Sequence, residues 1–303
     1  MSLIINLMLI YVFVLFGYLA KCFFKDRVQE KSFVLVYIYF LMPIIMIWGI
    51  LSKPLKMDII LIPSYFLFIL VISYIVTYLL SRLFLNDPKN QAIGTITGII
   101  GNTGNMGIPI GLAVYGIESV PYTAMINLFN AVFVMTIGAY TYSRGTFTIK
   151  KSIINVIKLP MIWATIIAFM GHYFNIQLSQ PFLHFLEMGA YTGIVIQLII
   201  FGMFLASVDW NFFYPRIASI VLSAKFILLP LLALMVIQYL NLNIFYSQIL
   251  LLQALVPIAV NNVNLAALYN CYPNKVAWVS FVAFILAIIL LPIGLILLPL
   301  FHN

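Results

Sequence analysis

The chain has 303 residues, of which 65% are hydrophobic and only 7% charged, and its net charge is +8. Soluble domains carry about 25% charged residues, so a mean hydropathy of +1.15 with so few charges excludes a soluble fold. The basic residues lie between apolar segments rather than in one basic patch, so nucleic acid is not an expected partner. A transmembrane β-barrel is excluded as well, because its strands alternate apolar and polar residues, whereas this sequence has long apolar runs.

Polar breaks divide the sequence into ten predicted transmembrane helices, spans 1 to 10, each of about the twenty residues that a hydrocarbon core requires. The spans cover residues 2–24, 31–51, 59–84, 91–115, 121–143, 152–173, 181–206, 213–240, 246–270 and 275–300. The predicted fold class is therefore an all-α polytopic protein of the cell membrane.

The basic residues predict the orientation of the spans, because lysine and arginine collect in cytoplasmic connections. The odd-numbered connections hold twelve of them: Lys21, Lys25, Arg27, Lys31, Arg82, Lys89, Arg144, Lys150, Lys151, Lys158, Arg216 and Lys275. The even-numbered connections and the termini hold only Lys53 and Lys56. We therefore expect the odd-numbered connections in the cytoplasm and both termini outside.

The ten spans divide into two halves of five, residues 1–145 and 146–303, and an odd number of spans makes the second half run inverted. Span 4 contains the sequence GIPIG at 107–111, and span 9 contains LVPIA at 255–259. The prolines are Pro109 and Pro257, and asparagines flank them: Asn102 and Asn105 before the first, and Asn261, Asn262 and Asn264 after the second. Inverted repeats with two broken helices near the bilayer midplane are typical of secondary transporters.

Breaks at these two places have a physical consequence. Proline removes a backbone donor and glycine loosens the helix, so amides and carbonyls are freed in mid-membrane. Because lipid cannot satisfy them, such backbone has to line a protein-enclosed, watery cavity. The positive ends of the half-helices and the asparagine amides then form a site suited to a small anion. The alternative is that glycine and proline serve only close helix packing.

Polar residues elsewhere in the spans are weaker candidates. Lys225 is a basic residue deep in span 8, where a charge is costly and is by default a functional candidate; its alternative is a structural lysine whose long stem reaches the membrane surface. Asn127, Asn130 and Gln253 either face the breaks in spans 4 and 9 or join helices by hydrogen bonds. His184 and Glu187 lie three residues apart on span 7, as a proton-handling pair or a solvated surface pair.

The sequence resembles the auxin efflux carrier family of membrane transporters, in its shorter bacterial form. The matching stretches are NTGNMGIPIGLAVYG (102–116), NLFNAVFVMTIGAYTYSRG (127–145), KLPMIWATIIAFMGHYF (158–174), IQLIIFGMFLA (196–206) and LLQALVPIAVNNVNLAALY (251–269). The resemblance implies crossing broken helices 4 and 9, with spans 1, 2, 6 and 7 as scaffold and dimer surface and spans 3–5 and 8–10 as transport core. It also implies a homodimer.

The residues and the resemblance together give a set of candidate site residues. The substrate-binding candidates are Asn102, Asn105, Gly107, Pro109, Pro257, Asn261, Asn262 and Lys225, followed by a second group of Asn127, Asn130, Gln253 and Asn264. Of these, the family resemblance implies a role in substrate binding for Asn102, Asn105, Pro109, Pro257, Asn261 and Asn262.

The leading hypothesis is a secondary transporter that moves a small organic anion, a carboxylate, by alternating access. The alternative is a transmembrane sensor that binds its ligand in the same cavity without transport. An enzyme is not expected, because the spans lack H-E-x-x-H, G-x-S-x-G and paired-aspartate motifs. We expect no cofactor and no metal site. The broken segments of spans 4 and 9 contain no acidic residue, which weakens cation exchange as the mechanism and leaves the coupling ion, sodium or a proton, open. Sodium could still bind freed carbonyls and asparagine oxygens.

Overall fold

The computed structural model describes residues 2–51, 57–144, 148–206 and 214–301. Lys53 and Lys56, which enter the predicted orientation, lie outside the described residues, as does the first residue of the predicted span 213–240. Within the described ranges the secondary structure is helical and no β-strand occurs. This confirms an all-helical chain.

Sixteen α-helices follow one another along the described residues. The first eight are α1 Ser2–Phe24, α2 Glu30–Val36, α3 Met42–Leu51, α4 Asp58–Phe84, α5 Pro88–Ile96, α6 Ile108–Tyr115, α7 Val120–Phe133 and α8 Ala139–Tyr142. The others are α9 Ile149–Ile157, α10 Pro160–Tyr173, α11 Gln180–Ala206, α12 Pro215–Ser223, α13 Leu229–Tyr239, α14 Ile244–Leu255, α15 Asn261–Leu268 and α16 Pro273–Leu297.

Short π-helical turns connect or precede several of these helices. They cover Tyr37–Leu41 between α2 and α3, Thr103–Gly107 before α6, Val134–Gly138 between α7 and α8, and Ala224–Leu228 between α12 and α13. Each of these turns widens the helix locally by one residue, a feature that is frequent at functional sites.

Seven continuous helical stretches of the described chain are long and apolar enough to cross a membrane. They are Ile5–Phe24, Glu30–Leu51, Asp58–Phe84, Ile117–Tyr142, Gln180–Ala206, Pro215–Tyr239 and Pro273–Leu300. They correspond to predicted spans 1, 2, 3, 5, 7, 8 and 10, and their length and composition support a multi-pass membrane protein. The predicted spans 4, 6 and 9 are each divided into two shorter helices.

The continuous helix expected over 152–173 is wrong at Lys158 and Leu159, where α9 ends before α10 begins. Leu159 is extended, with ψ 116°, because the following Pro160 disfavours a helical conformation in the residue before it. Pro160 then occupies the first position of α10, where its missing N–H costs nothing.

The described residues form two compact units. Unit 1 comprises Met1–Leu61, Gly104–Leu128 and Ile154–Ser207, and unit 2 comprises Ile62–Thr103, Phe129–Ile153 and Val208–Asn303. Each predicted half, 1–145 and 146–303, contributes to both units, because packing rather than chain order decides membership. The repeat relation between the halves stays a prediction.

Unit 1 is built on close contacts between apolar helices. A Cβ atom at Gly17 of α1 would overlap the carbonyl oxygen of Ile199, and one at Gly202 of α11 would overlap that of Val14. Backbones can approach this closely only where the side chain is absent, as is common between membrane helices. A buried hydrogen bond from the Tyr37 hydroxyl to the Gln197 side chain holds the end of α2 to α11.

Unit 2 packs α5 against α12 and α8, and α14 against α13 and α16. The Thr77 hydroxyl of α4 donates to the backbone oxygen of Thr95 in α5 at 2.6 Å. At the start of α16, the Lys275 ammonium donates to the Asn90 side chain at 2.9 Å, which holds the beginnings of α16 and α5 together. These bonds fix the ends of the short helix α5, which has nine residues and little stability of its own.

The contact of α1 with α11 yields a prediction. Gly202→Ala places a methyl group against the backbone of α1, and we expect a loss of about 1–3 kcal/mol from overpacking, seen as a lower Tm of the detergent-solubilised protein. The matched control is Gly171→Ala, whose Cβ would meet only the flexible end of the Leu51 side chain, at 3.1 Å. Equal losses in both variants would contradict close α1–α11 packing.

Candidate functional site

Predicted spans 4 and 9 are each interrupted in the structure. In the first, α5 ends at Ile96 and α6 begins at Ile108; in the second, α14 ends at Leu255 and α15 begins at Asn261. Each segment therefore consists of two short helices joined by backbone that lacks the α-helical hydrogen-bond ladder. This backbone has to find other partners, because buried amides and carbonyls without hydrogen bonds are costly.

The two interruptions meet inside unit 2. Gly101 and Ile258 pair as an isolated antiparallel β-bridge. The amide of Asn102 donates to the carbonyl of Pro257 at 2.7 Å, and the amide of Ala259 donates to the carbonyl of Ile100 at 3.0 Å. We call residues 100–102 and 257–259 together the crossing. The crossing is buried, so each chain segment satisfies the other's freed backbone groups.

Two asparagine side chains add hydrogen bonds to carbonyls at the crossing. Asn262 Nδ2 lies 3.3 Å from the carbonyl oxygen of Ile100 and 3.0 Å from that of Ala259. Asn130 Nδ2 lies 3.1 Å from the carbonyl oxygen of Gly101 and 3.0 Å from the Thr103 hydroxyl. Both side chains are almost completely buried. Each side-chain amide therefore stabilises the backbone of the crossing. For Asn130, sequence analysis had left open whether it faces the site or joins helices by hydrogen bonds.

A chain of hydrogen bonds anchors Asn262 in turn. The Tyr142 hydroxyl donates to Asn262 Oδ1 at 3.0 Å. It also lies 2.8 Å from the Thr97 hydroxyl. The chain Thr97–Tyr142–Asn262 thus ties the turn after α5 and the end of α8 to the start of α15. All three side chains are buried, so the network fixes the crossing without help from the surface.

Lys225 lies beside the crossing, in the π-helical turn between α12 and α13. A Cβ atom at Gly101 would lie 2.9 Å from Lys225 Nζ, so the ammonium approaches the bare backbone of Gly101. Lys225 is fully buried, and its Nζ has no hydrogen-bond partner among the described residues. A buried charge without a partner is costly and marks a functional site by default.

Three side-chain amides of unit 2 also have unpartnered atoms within the described part of the chain. These atoms are Nδ2 of Asn102, Oδ1 of Asn130 and both polar atoms of the Gln253 side chain. Asn102 is 4% exposed and Gln253 is fully buried. Unit 2 therefore combines one cation with spare N–H donors at or next to the crossing. No group of three potential metal-ligating His, Cys, Asp or Glu residues occurs among the described residues.

The remaining candidates of unit 2 lie around the same place. Pro257 is in the crossing itself and contributes its carbonyl to Asn102. Asn261 and Asn264, three residues apart on α15, are exposed, whereas Asn262 between them is buried. Neighbouring asparagines therefore have different surroundings: one completes the fold and two present their amides outward.

The other candidates belong to unit 1. Asn105 and Gly107 lie in the π-helical turn that precedes α6, and Pro109 is the second residue of α6, where proline is tolerated. A Cβ atom at Gly104 would lie 2.8 Å from the Asn127 side-chain oxygen, so Asn127 contacts the backbone of that turn. Asn105 is half-buried, and Gly107 and Pro109 are buried.

Comparison with known proteins decides the family. The model of the membrane transport protein family matches residues 2–151 and 141–295, nearly the whole chain. The chain belongs to this family. The family includes the auxin efflux carriers, so the resemblance drawn from the sequence is confirmed. A comparison with curated proteins gives no match.

Membership makes the protein a membrane transporter, in agreement with the expectation that it is not an enzyme. Sequence analysis did not identify Thr97 and Tyr142, whose hydroxyl groups form the hydrogen-bond chain to Asn262, as residues of the site. Hydroxyl side chains within apolar spans were the available signal, but no spacing rule connects a threonine of one span with a tyrosine of another.

His184 Nδ1 and Glu187 Oε2 lie 3.6 Å apart on α11, with 72% and 40% of their side chains exposed, as a surface pair requires.

The different surroundings of Asn261 and Asn262 yield a prediction. Asn262→Ala removes the side-chain bonds to the carbonyls of Ile100 and Ala259 and the acceptor of the Tyr142 hydroxyl, at about 0.5–1.5 kcal/mol for each hydrogen bond lost, while both carbonyls keep a backbone donor. We expect a clear fall in Tm for Asn262→Ala and none for Asn261→Ala, measured by thermal unfolding in detergent. The structural role assigned to Asn262 is refuted when the two variants unfold at the same temperature.

Proposed function

We propose that this membrane transporter is a secondary transporter that moves a small organic anion, a carboxylate, by alternating access. The observation that carries the proposal is the Lys225 ammonium, fully buried beside Gly101 and without an ion pair or hydrogen bond among the described residues. Removing a charge from water costs several kcal/mol unless a partner compensates. A carboxylate bound at the crossing supplies that partner.

The neutral groups near Lys225 support a carboxylate in particular. Asn102 has unpartnered N–H atoms and Gln253 has an unpartnered side-chain amide. A carboxylate accepts several hydrogen bonds at once, and hydrogen bonds to an ionised acceptor are stronger than those between neutral groups. One fixed cation with amide donors therefore favours a monovalent carboxylate head group over a neutral solute.

Access of solute to the crossing is supported by the exposed amides of α15. Asn261 and Asn264 are exposed on a half-helix that belongs to a predicted membrane span. Amides that faced hydrocarbon would be costly, so this face of α15 suits a water-filled cavity. Alternating access then means that the cavity opens to one side of the membrane at a time, with the crossing as the binding site.

The proposal includes ten spans in two inverted repeats, 1–145 and 146–303. The antiparallel pairing of Gly101 with Ile258 supports it, since corresponding segments of inverted repeats run in opposite directions. A short helix precedes and follows the interruption in both segments. The alternative function is a sensor that binds the same anion without moving it, and the experiment below separates the two.

Transport of labelled carboxylates into proteoliposomes tests the proposal. We expect saturable uptake and counterflow, reduced at least about tenfold in Lys225→Met because a charged hydrogen bond is worth about 1.5–3 kcal/mol. Asn102→Ala and Asn261→Ala are expected to raise the half-saturation concentration. Lys31→Met, which removes an exposed lysine, is the matched control and should transport as the unmodified protein does.

The outcomes separate the hypotheses. Wild-type flux in Lys225→Met contradicts the anion site at the crossing. Carboxylate binding to the solubilised protein without any flux in liposomes favours the sensor. Repeating uptake with a sodium gradient and with a pH gradient identifies the coupling ion, because flux is raised by the gradient of the ion that is carried along.

We also propose that the odd-numbered connections are cytoplasmic and both termini external. Single cysteines introduced at Ser2 and at Lys89, in a background with Cys22→Ser and Cys271→Ser, test this orientation. We expect a membrane-impermeant maleimide to label the cysteine at position 2 in intact cells, and the one at position 89 only after the membrane is opened. The reverse pattern would overturn the orientation.

A further inference from the structure

Unit 2 contains a cavity of about 390 Å³ whose lining includes no residue of the crossing. Helices α4, α5 and α8 and the turn that follows α8 supply its walls. The side chains that matter are Tyr74, Tyr78, Arg82, Tyr140 and Arg144. We call this cavity the arginine–tyrosine pocket. No candidate site residue of the crossing lines it.

Arg82 is held in place within the pocket. It lies in the last turn of α4, and its Nη2 donates to the Tyr78 hydroxyl at 2.9 Å. Its guanidinium carbon also lies 5.3 Å from the centre of the Tyr78 ring. The Tyr74 and Tyr78 rings are stacked, with centroids 6.3 Å apart. A guanidinium held in this way has donors left over, since arginine carries five N–H groups.

Arg144 enters the pocket from the end of α8. It follows the helix by two residues and has a φ of 54°, a left-handed conformation that is uncommon for residues other than glycine. Its amide donates to the carbonyl of Thr141 at 3.0 Å, so this turn ends the helix. The turn places a second arginine in the lining of the same cavity.

The pocket is strongly biased toward anions. Two of the described residues that line it are arginines and none is acidic, and three tyrosines provide hydroxyl groups. Both arginines lie at ends of helical stretches that are long enough to cross a membrane. The end of a membrane-spanning helix lies at the edge of the hydrocarbon layer, where the phosphates of lipid head groups are found.

We propose that the arginine–tyrosine pocket binds a phosphate group, held by Arg82 and Arg144. Arginine donors match a phosphate in pairs, which gives both strength and orientation. Two sources share this chemistry: the head group of an anionic membrane lipid and free inorganic phosphate. The site is independent of carboxylate transport, so it stands or falls by its own test.

Native mass spectrometry of the full-length protein tests the proposal. The protein is taken from nanodiscs of phosphatidylcholine alone, from nanodiscs with added phosphatidylglycerol, and from phosphatidylcholine nanodiscs with added inorganic phosphate. We expect bound phosphatidylglycerol or phosphate, reduced about tenfold in Arg82→Gln/Arg144→Gln because charged hydrogen bonds are lost. The matched control Arg27→Gln/Arg216→Gln removes two arginines outside the pocket and should bind as wild type does.

Each outcome has a definite meaning. Retention of phosphatidylglycerol that depends on Arg82 and Arg144 supports the site with lipid as the source, and retention of inorganic phosphate alone supports it with a soluble source. Equal losses in the pocket variant and the control overturn it, because net charge would then explain the binding. If the glutamine variant does not fold, Arg82→Lys/Arg144→Lys keeps both charges, and undiminished phosphate or lipid retention in it overturns recognition by guanidinium pairs.

Discussion

The rest of the structure depends on one constraint: backbone amides and carbonyls inside a membrane need hydrogen-bond partners from the protein itself. Two interrupted helices would leave such groups without partners in hydrocarbon. Here the segment 100–102 and the segment 257–259 satisfy each other through the bonds of Asn102 to Pro257 and of Ala259 to Ile100. Each interruption therefore supplies hydrogen-bond partners that the other lacks, which favours a broken helix in both segments.

This constraint divides the polar residues around the crossing into two kinds. Asn130 and Asn262 donate to backbone carbonyls and are used by the fold. The side chains of Asn102, Lys225 and Gln253 keep polar atoms that no described residue satisfies, and so does Asn130 at its Oδ1. The first kind holds the backbone in place, and under the proposed function the second kind gains its partners from a bound solute. A rigid frame of the first kind positions donors of the second kind before a solute arrives, which lowers the entropic cost of binding.

The sequence predicts the helical class, most of the spans and both interruptions, because apolar length and the residues GIPIG and LVPIA carry those signals directly. It does not predict which asparagine is buried against the backbone and which is exposed. Asn261 and Asn262 are adjacent and chemically identical, yet one is exposed and the other fully buried, a difference set by helix rotation after the break. The contact of Tyr142 with Asn262 joins residues 120 positions apart, and hydropathy contains no information on such pairs. Pro160 could have indicated the division of the predicted span 152–173, since proline often begins a helix.

The two proposed sites differ in the free-energy cost of placing their positive charges. An arginine at the end of a helix, such as Arg82, keeps contact with the polar edge of the membrane, so its charge is inexpensive. Lys225 is fully buried, and an uncompensated charge there weakens the folded state. A fold can keep such a residue only where other contacts offset the loss, here the two chain segments and the asparagines that hold the crossing together. The hydrogen bonds of the crossing therefore offset the cost of an unpaired lysine beside it, and under the proposed function that lysine supplies the charge that attracts the anion.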